Sequence, residues 1–316
     1  MYFGSIRFFK NLILLCVIVM ILVPTTIAVR KHASLALVKE QVAQLEEEVG
    51  QMREQLSESE RPITELEDTL VADEEPEISE RVDFTADAPE YQSLYPDFYA
   101  PQVLNTEQSK TPGMIYLTFD DGPTKNTDTV LQVLAEKDVK ATFFVTGPNS
   151  EKARERMRAI VDQGHTLGMH TYCHDYDIIY DSVEAFLDDM YQVFVMIKEA
   201  TGEVPTVFRF AGGSINSHNV GIHQELMAEM LRRGFIPYDW NMSAQDATSK
   251  KLSVDNVIKN VLYGASSKSR GIVLMHDGPY QATTAEALGT IIDRLREMGF
   301  QFDRIRPEIK PILFDY

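Results

Sequence analysis

The spacing of apolar residues divides the chain into stretches with different periods. Residues 12–23 are unbroken apolar and sit inside an uncharged span, 11–29, with Arg7 and Lys10 before it and Arg30 and Lys31 after it. A bilayer is crossed by about 20 apolar residues, so 1–31 predicts a membrane anchor. A secretory signal is the rival reading, because the apolar core is short and Thr26-Ile27-Ala28 offers a cleavage site. Positive charge at both ends leaves orientation weakly specified. Either reading exports the remainder of the chain. Next, Leu35, Val38, Val42, Leu45, Val49, Met52 and Leu56 recur at alternating steps of three and four. That heptad seam predicts a coiled-coil helix over 32–57, and with it a homodimer; one amphipathic helix packed on another surface is the alternative.

From about residue 111 the period changes again. Short apolar runs at 114–119, 141–145, 206–210, 272–275 and 300–302 predict buried strands, and 166–169 leads apolar into a pair of histidines. Between them, amphipathic patterns predict helices over 127–136, 151–163, 182–200, 224–233, 254–262 and 284–298. Strands alternating with helices imply parallel pairing through right-handed crossovers. About 200 residues of this kind suit a (β/α) barrel or an open doubly wound sheet, and the pattern alone does not separate the two.

Charge adds a linker. Residues 58–90 hold 13 acids and two bases, with Pro62, Pro76 and Pro89 breaking any long helix. Such composition predicts a solvated spacer, and the division of the chain becomes anchor or signal 1–31, coiled coil 32–57, acidic linker 58–110 and folded domain 111–316. The net charge of the 316 residues is -18, and a pI near 4.8 speaks against nucleic acid, whose phosphates demand surplus Lys and Arg. With two cysteines, Cys16 and Cys173, no disulfide framework exists.

Candidate chemistry gathers where the strands end. Thr118-Phe119-Asp120-Asp121-Gly122-Pro123 places adjacent carboxylates at the C-terminal end of the first strand, where α/β folds build their sites; a turn is the bland alternative, since Asp, Gly and Pro are turn residues. His170 and His174 lie four apart after another strand. Two imidazoles and a carboxylate can hold zinc with one position open to water. Cys173, between them, reads as a small buried side chain. Phe208-Arg209-Phe210-Ala211-Gly212-Gly213-Ser214 puts an arginine before two glycines, an arrangement suited to holding a carboxylate and to presenting a backbone N–H. Leu274-Met275-His276-Asp277 delivers one more histidine at a strand end.

Together with residues 240–246, these motifs occur in the order found in one family. The chain over 111–305 resembles the polysaccharide deacetylases, the NodB-homology domains of carbohydrate esterase family four. The resemblance implies a distorted (β/α) barrel and a metal, usually zinc, on Asp121, His170 and His174. It implies Asp120 as general base tethered by Arg209, and His276 as general acid with its pKa set by Asp246. Leu274 and Trp240 would line the acetyl pocket, and the Gly212 N–H would hold the oxyanion. The chain departs from the commoner pattern twice: Gly212 and Ala247 stand where pocket aromatics are usual. Asp239 competes with Asp246 as partner of His276, and the six-residue spacing from Trp240 favours Asp246.

The implied reaction is metal-assisted hydrolysis of N-acetyl groups on a polysaccharide. Export beside a membrane favours N-acetylglucosamine of peptidoglycan, with the protein a single-pass membrane protein or, if cleaved, secreted. Chitin-like oligomers, exopolysaccharide and xylan acetyl esters are chemically accessible substrates. A catalytically inactive, membrane-anchored glycan-binding scaffold is the alternative of a different class; the presence of every ligand, the base and the acid weighs against it.

Overall fold

The computed structural model describes residues 88–101, 111–147, 150–247 and 252–314, all within the unit Asp83–Tyr316. The expected anchor and coiled coil, and most of the expected linker, lie outside the described residues. Among these, no helix is long and apolar enough to cross a membrane.

Among the described residues, eight strands form one sheet: β1 Met114–Gly122, β2 Thr142–Thr146, β3 Thr166–Thr171, β4 Val207–Phe208, β5 Ile236–Pro237, β6 Met242–Ser243, β7 Gly271–His276 and β8 Gln301–Phe302. The helices are α1 Lys125–Glu136, α2 Glu151–Asp162, α3 Tyr176–Ile179, α4 Val183–Thr201, α5 His223–Arg232, α6 Val254–Ala265 and α7 Ala282–Glu297. Strand order is β5-β4-β3-β2-β1-β7-β6, with β8 beside the start of β1, and every described pairing is parallel. The two ends of this path, β5 and β6, are not paired with each other among the described residues. The result is a parallel α/β half-barrel.

Alternation along the strands builds two apolar clusters. Ile115, Leu117 and Phe119 of β1, Phe143 and Val145 of β2, Met169 of β3 and Val273 and Met275 of β7 join the buried faces of the helices. Their neighbours Tyr116, Phe144, Val207 and Ile272 pack instead with Tyr238, Ile305 and Ile309. This second face is the concave one. Arg209 follows β4, three places along the sheet from β1, yet its Nη1 reaches Thr118 Oγ1 at 2.7 Å and Asp120 Oδ1 at 2.8 Å. Flat neighbours stand about 4.8 Å apart, so only a curled sheet allows that reach.

Parts of the described chain differ from the sequence-based expectation. β1 runs through both aspartates, because Asp120 pairs with His276 and Gly122 with Val145. β5 and β6 have two residues each, too few to show a period. Residues 88–101, inside the range assigned above to an acidic linker, pack on the folded unit. Phe98 is fully buried against Phe194 and Phe235, with ring centroids 5.1 and 4.7 Å away. The buried Arg233 guanidinium donates to the carbonyls of Tyr91, Leu94, Tyr95 and Phe98 and pairs with Glu229 at 2.7 Å.

Candidate active site

The concave face is apolar in its middle and polar at the C-terminal ends of its strands. Asp120, His170, Arg209 and His276 all lie there and all are buried. Asp120 and His276 are register partners on β1 and β7, so strand pairing alone fixes their separation.

Asp121 would ordinarily point to the opposite side from Asp120. A register shift between Asp120 and Gly122 on β1 and a left-handed backbone at Asp121, φ 69°, turn its carboxylate to the mouth instead. The next residue must be small, because a side chain at Gly122 would run into the buried carboxylate of Asp277. Asp121 Oδ1 then lies 3.2 Å from His174 Nε2 and 3.6 Å from His170 Nε2. One ligand atom from each of the three residues falls within 4.8 Å of the others.

This trio fits a metal ion on its own geometry. Asp121 Oδ1 is buried without a hydrogen-bond partner, a cost that a bound cation removes. His170 Nδ1 donates to the Arg209 carbonyl at 2.9 Å, which directs the lone pair of Nε2 at the trio. Burial lowers the His170 pKa to about 3 and keeps the ring neutral, as a ligand must be. Two imidazoles and a carboxylate are zinc donors.

The loop from His170 to His174 is held from behind by Asp189 of α4, which accepts the Tyr172 N–H at 2.6 Å and the Cys173 N–H at 2.8 Å. Asp189 was not foreseen, although an acid on the apolar stripe of α4, among Phe186, Leu187, Met190 and Val193, is the signal that exposes it. Cys173 corrects the expectation of a buried side chain: it is exposed. The strand ends at Thr171, and the turn that aims both imidazoles inward leaves the residue between them on its outer side.

Arg209 is fully buried and spends its donors on Tyr238 O, Thr118 Oγ1, Asp120 Oδ1 and Asp239 O. Asp120 Oδ1 is thereby fixed, while Oδ2 stays 3.9 Å from His170 Nε2. Burial raises the Asp120 pKa above the carboxylate norm against the opposing charges of Arg209 and His276. A buried carboxylate with an elevated pKa and one free oxygen is equipped to accept a proton.

Across the mouth, His276 Nδ1 meets Asp246 Oδ1 at 2.8 Å, and Asp246 Oδ2 accepts the His276 N–H at 2.9 Å and the Thr284 hydroxyl at 2.7 Å. Burial alone would depress the histidine; the Asp246 hydrogen bond and charge, with Asp120 and Asp121, outweigh it and hold His276 at about 9. The imidazolium is the resting form, with Nε2–H left to donate. Asp239 has another task. Its carboxylate accepts the backbone N–H and hydroxyl of Ser214 and the N–H of Phe314, tying the glycine loop to the C-terminal segment. Asp277, also unforeseen, is raised by burial to about 7 and is bonded by Thr127.

The cavity over these groups measures about 740 Å³ and is lined by Leu274, Trp240, Gly212 and Ala247 as well as the polar set. Each sequence-expected site residue is therefore in or directly behind one cavity. Gly212 adopts φ 76°, and its N–H donates to no described residue.

A carboxylate clamped by a buried arginine, a histidine paired with Asp246, and a second carboxylate facing two imidazoles thus share one cavity of a parallel α/β half-barrel. The polysaccharide deacetylase family model matches residues 107–233. A peptidoglycan-N-acetylglucosamine deacetylase of Bacillus cereus is 31% identical over 213 residues, covering 66% of this chain and 74% of that protein. A chitooligosaccharide deacetylase of Rhizobium leguminosarum is 29% identical over 64% of this chain and 94% of its own length. The crystal structure of the catalytic domain of a peptidoglycan N-acetylglucosamine deacetylase from Eubacterium rectale superposes with a TM-score of 0.63 at 34% identity, covering 67% of this chain and 97% of that one. The chain belongs to the polysaccharide deacetylase family, hydrolases that act on amide bonds.

Proposed function

We propose that this protein removes acetyl groups from N-acetylglucosamine of peptidoglycan, using zinc. The observation that carries the reading is the buried, unpartnered Asp121 Oδ1 beside His170 and His174, with Asp120 on one side and the His276–Asp246 pair on the other. Zinc held by Asp121, His170 and His174 supplies Lewis acidity toward the acyl oxygen and makes water more acidic. Asp120 Oδ2 accepts the proton of the attacking water while Arg209 keeps the carboxylate from rotating. The Gly212 N–H donates to the oxygen that gains charge, a contribution whose loss typically costs about 10²–10³ in rate. His276 then protonates the leaving nitrogen, and Asp246 stabilises the imidazolium until that transfer. The acetate leaves; the free amine remains on the glycan.

Peptidoglycan is favoured as substrate by the name of the Bacillus cereus relative and by the expected anchor at 1–31, which would set the catalytic domain outside the membrane beside the wall. The coiled coil over 32–57 would pair two copies there. Acetate release by the full chain, solubilised in mild detergent, tests the substrate. Faster release from peptidoglycan than from chitin oligomers is expected; release from chitin oligomers alone would keep the chemistry and overturn the wall assignment.

A further inference from the structure

Most donors around the cavity are spent. Tyr180 gives its hydroxyl to the Ala211 carbonyl at 2.7 Å, and Asn216 Nδ2 gives to the same carbonyl at 3.0 Å. Two are not. The Gly212 N–H donates to no described residue, and neither does the hydroxyl of Tyr176, a half-buried residue lining the same cavity.

Tyr176 opens α3, two residues after His174. Its ring is wedged in place, with centroids 5.5 Å from His174, 5.1 Å from His218 and 6.0 Å from Tyr180. Its hydroxyl lies 3.2 Å from where a β-carbon on residue 212 would stand. Glycine at 212 therefore leaves room for this phenol, and the two free donors stand side by side next to the ligand trio. A phenol, with an ordinary pKa of about 10, carries its proton at neutral pH and can donate a hydrogen bond to an acceptor bearing developing charge.

We propose that Tyr176 is a second oxyanion donor, its phenol O–H acting beside the Gly212 N–H on the acyl oxygen of the N-acetyl group. This rests on the deacetylase reading above. The role is catalytic in the strict sense, since the hydroxyl touches the reacting atoms; it forms no covalent bond and its proton stays on the phenol.

The test is Tyr176→Phe in the full, zinc-loaded chain, which removes one oxygen and keeps the ring packed on His174 and His218. The expected result is a kcat lower by about 10²-fold, the range for losing one such donor. KM should stay within about twofold, with zinc content and unfolding midpoint unchanged. A variant with wild-type kcat would overturn the inference while leaving the deacetylase reading intact. So would a kcat loss that tracks loss of zinc, which would make Tyr176 a support for His174 only. A wild-type protein that releases acetate from no N-acetylated glycan would overturn both.

Discussion

At the scale of single residues, two adjacent carboxylates meet different partners because their backbones differ. Asp120 keeps the strand's register and is clamped by Arg209 at 2.8 Å; Asp121 sits at the register shift with a positive φ and faces two imidazoles. Asp120→Asn should lower kcat by about 10²–10⁴-fold, the usual worth of a positioned base, while zinc content measured by elemental analysis stays at wild-type level; equal loss of zinc would mean the two roles are reversed. His276, held at about 9 against burial, chiefly by Asp246, should set the basic limb of the rate profile, with activity lost as pH rises through about 9. Asp246→Asn should move that limb down toward the ordinary histidine range near 6.5. The linked stability has the same sign. A pKa raised in the fold contributes stability fully present below about 6.5, and that contribution disappears as pH rises through about 9. A basic limb unmoved in Asp246→Asn would remove His276 from the acid role.

At the scale of elements, residue identities at the strand ends were legible, since Asp-Asp, His-x-x-x-His, the arginine before glycines and the strand-borne histidine all follow apolar runs. Their convergence was not, because it depends on curvature: Arg209 reaches Thr118 across three strands, and no local period encodes that. Asp189 and Asp277 were missed for a related reason, as each acts through groups distant in sequence. Residues 88–101 show the same limit. Their acidic neighbours made them read as spacer, while Tyr91, Tyr95 and Phe98 were aromatics awaiting a surface. Arg233 binds four of their carbonyls and shares Glu229 with Arg232, and each buried acceptor left without its donor costs about 1–3 kcal/mol. Arg233→Met should therefore lower stability in denaturant titration by about 3 kcal/mol or more and leave the KM of the remaining folded protein unchanged. A loss below about 1 kcal/mol would mean that residues 88–101 rest loosely on the fold.

At the scale of the whole molecule, alternation of strands and helices identified a parallel α/β fold but left barrel and open sheet unseparated. The structure lies between them, curled around Tyr116, Phe144, Val207, Tyr238 and Ile272, with β5 and β6 unpaired to each other among the described residues. That curl brings Asp120, Asp121, His170, His174 and His276 around one cavity, and the proposed hydrolysis requires Asp121, His170 and His174 to hold a metal. The most direct measurement strips metal from the full chain with a chelator and titrates zinc back while following acetate release from peptidoglycan. Release should fall to background on stripping and return in proportion to zinc, levelling off at one equivalent per chain, with no recovery in Asp121→Ala. Full activity after stripping, or recovery in Asp121→Ala equal to wild type, would contradict it.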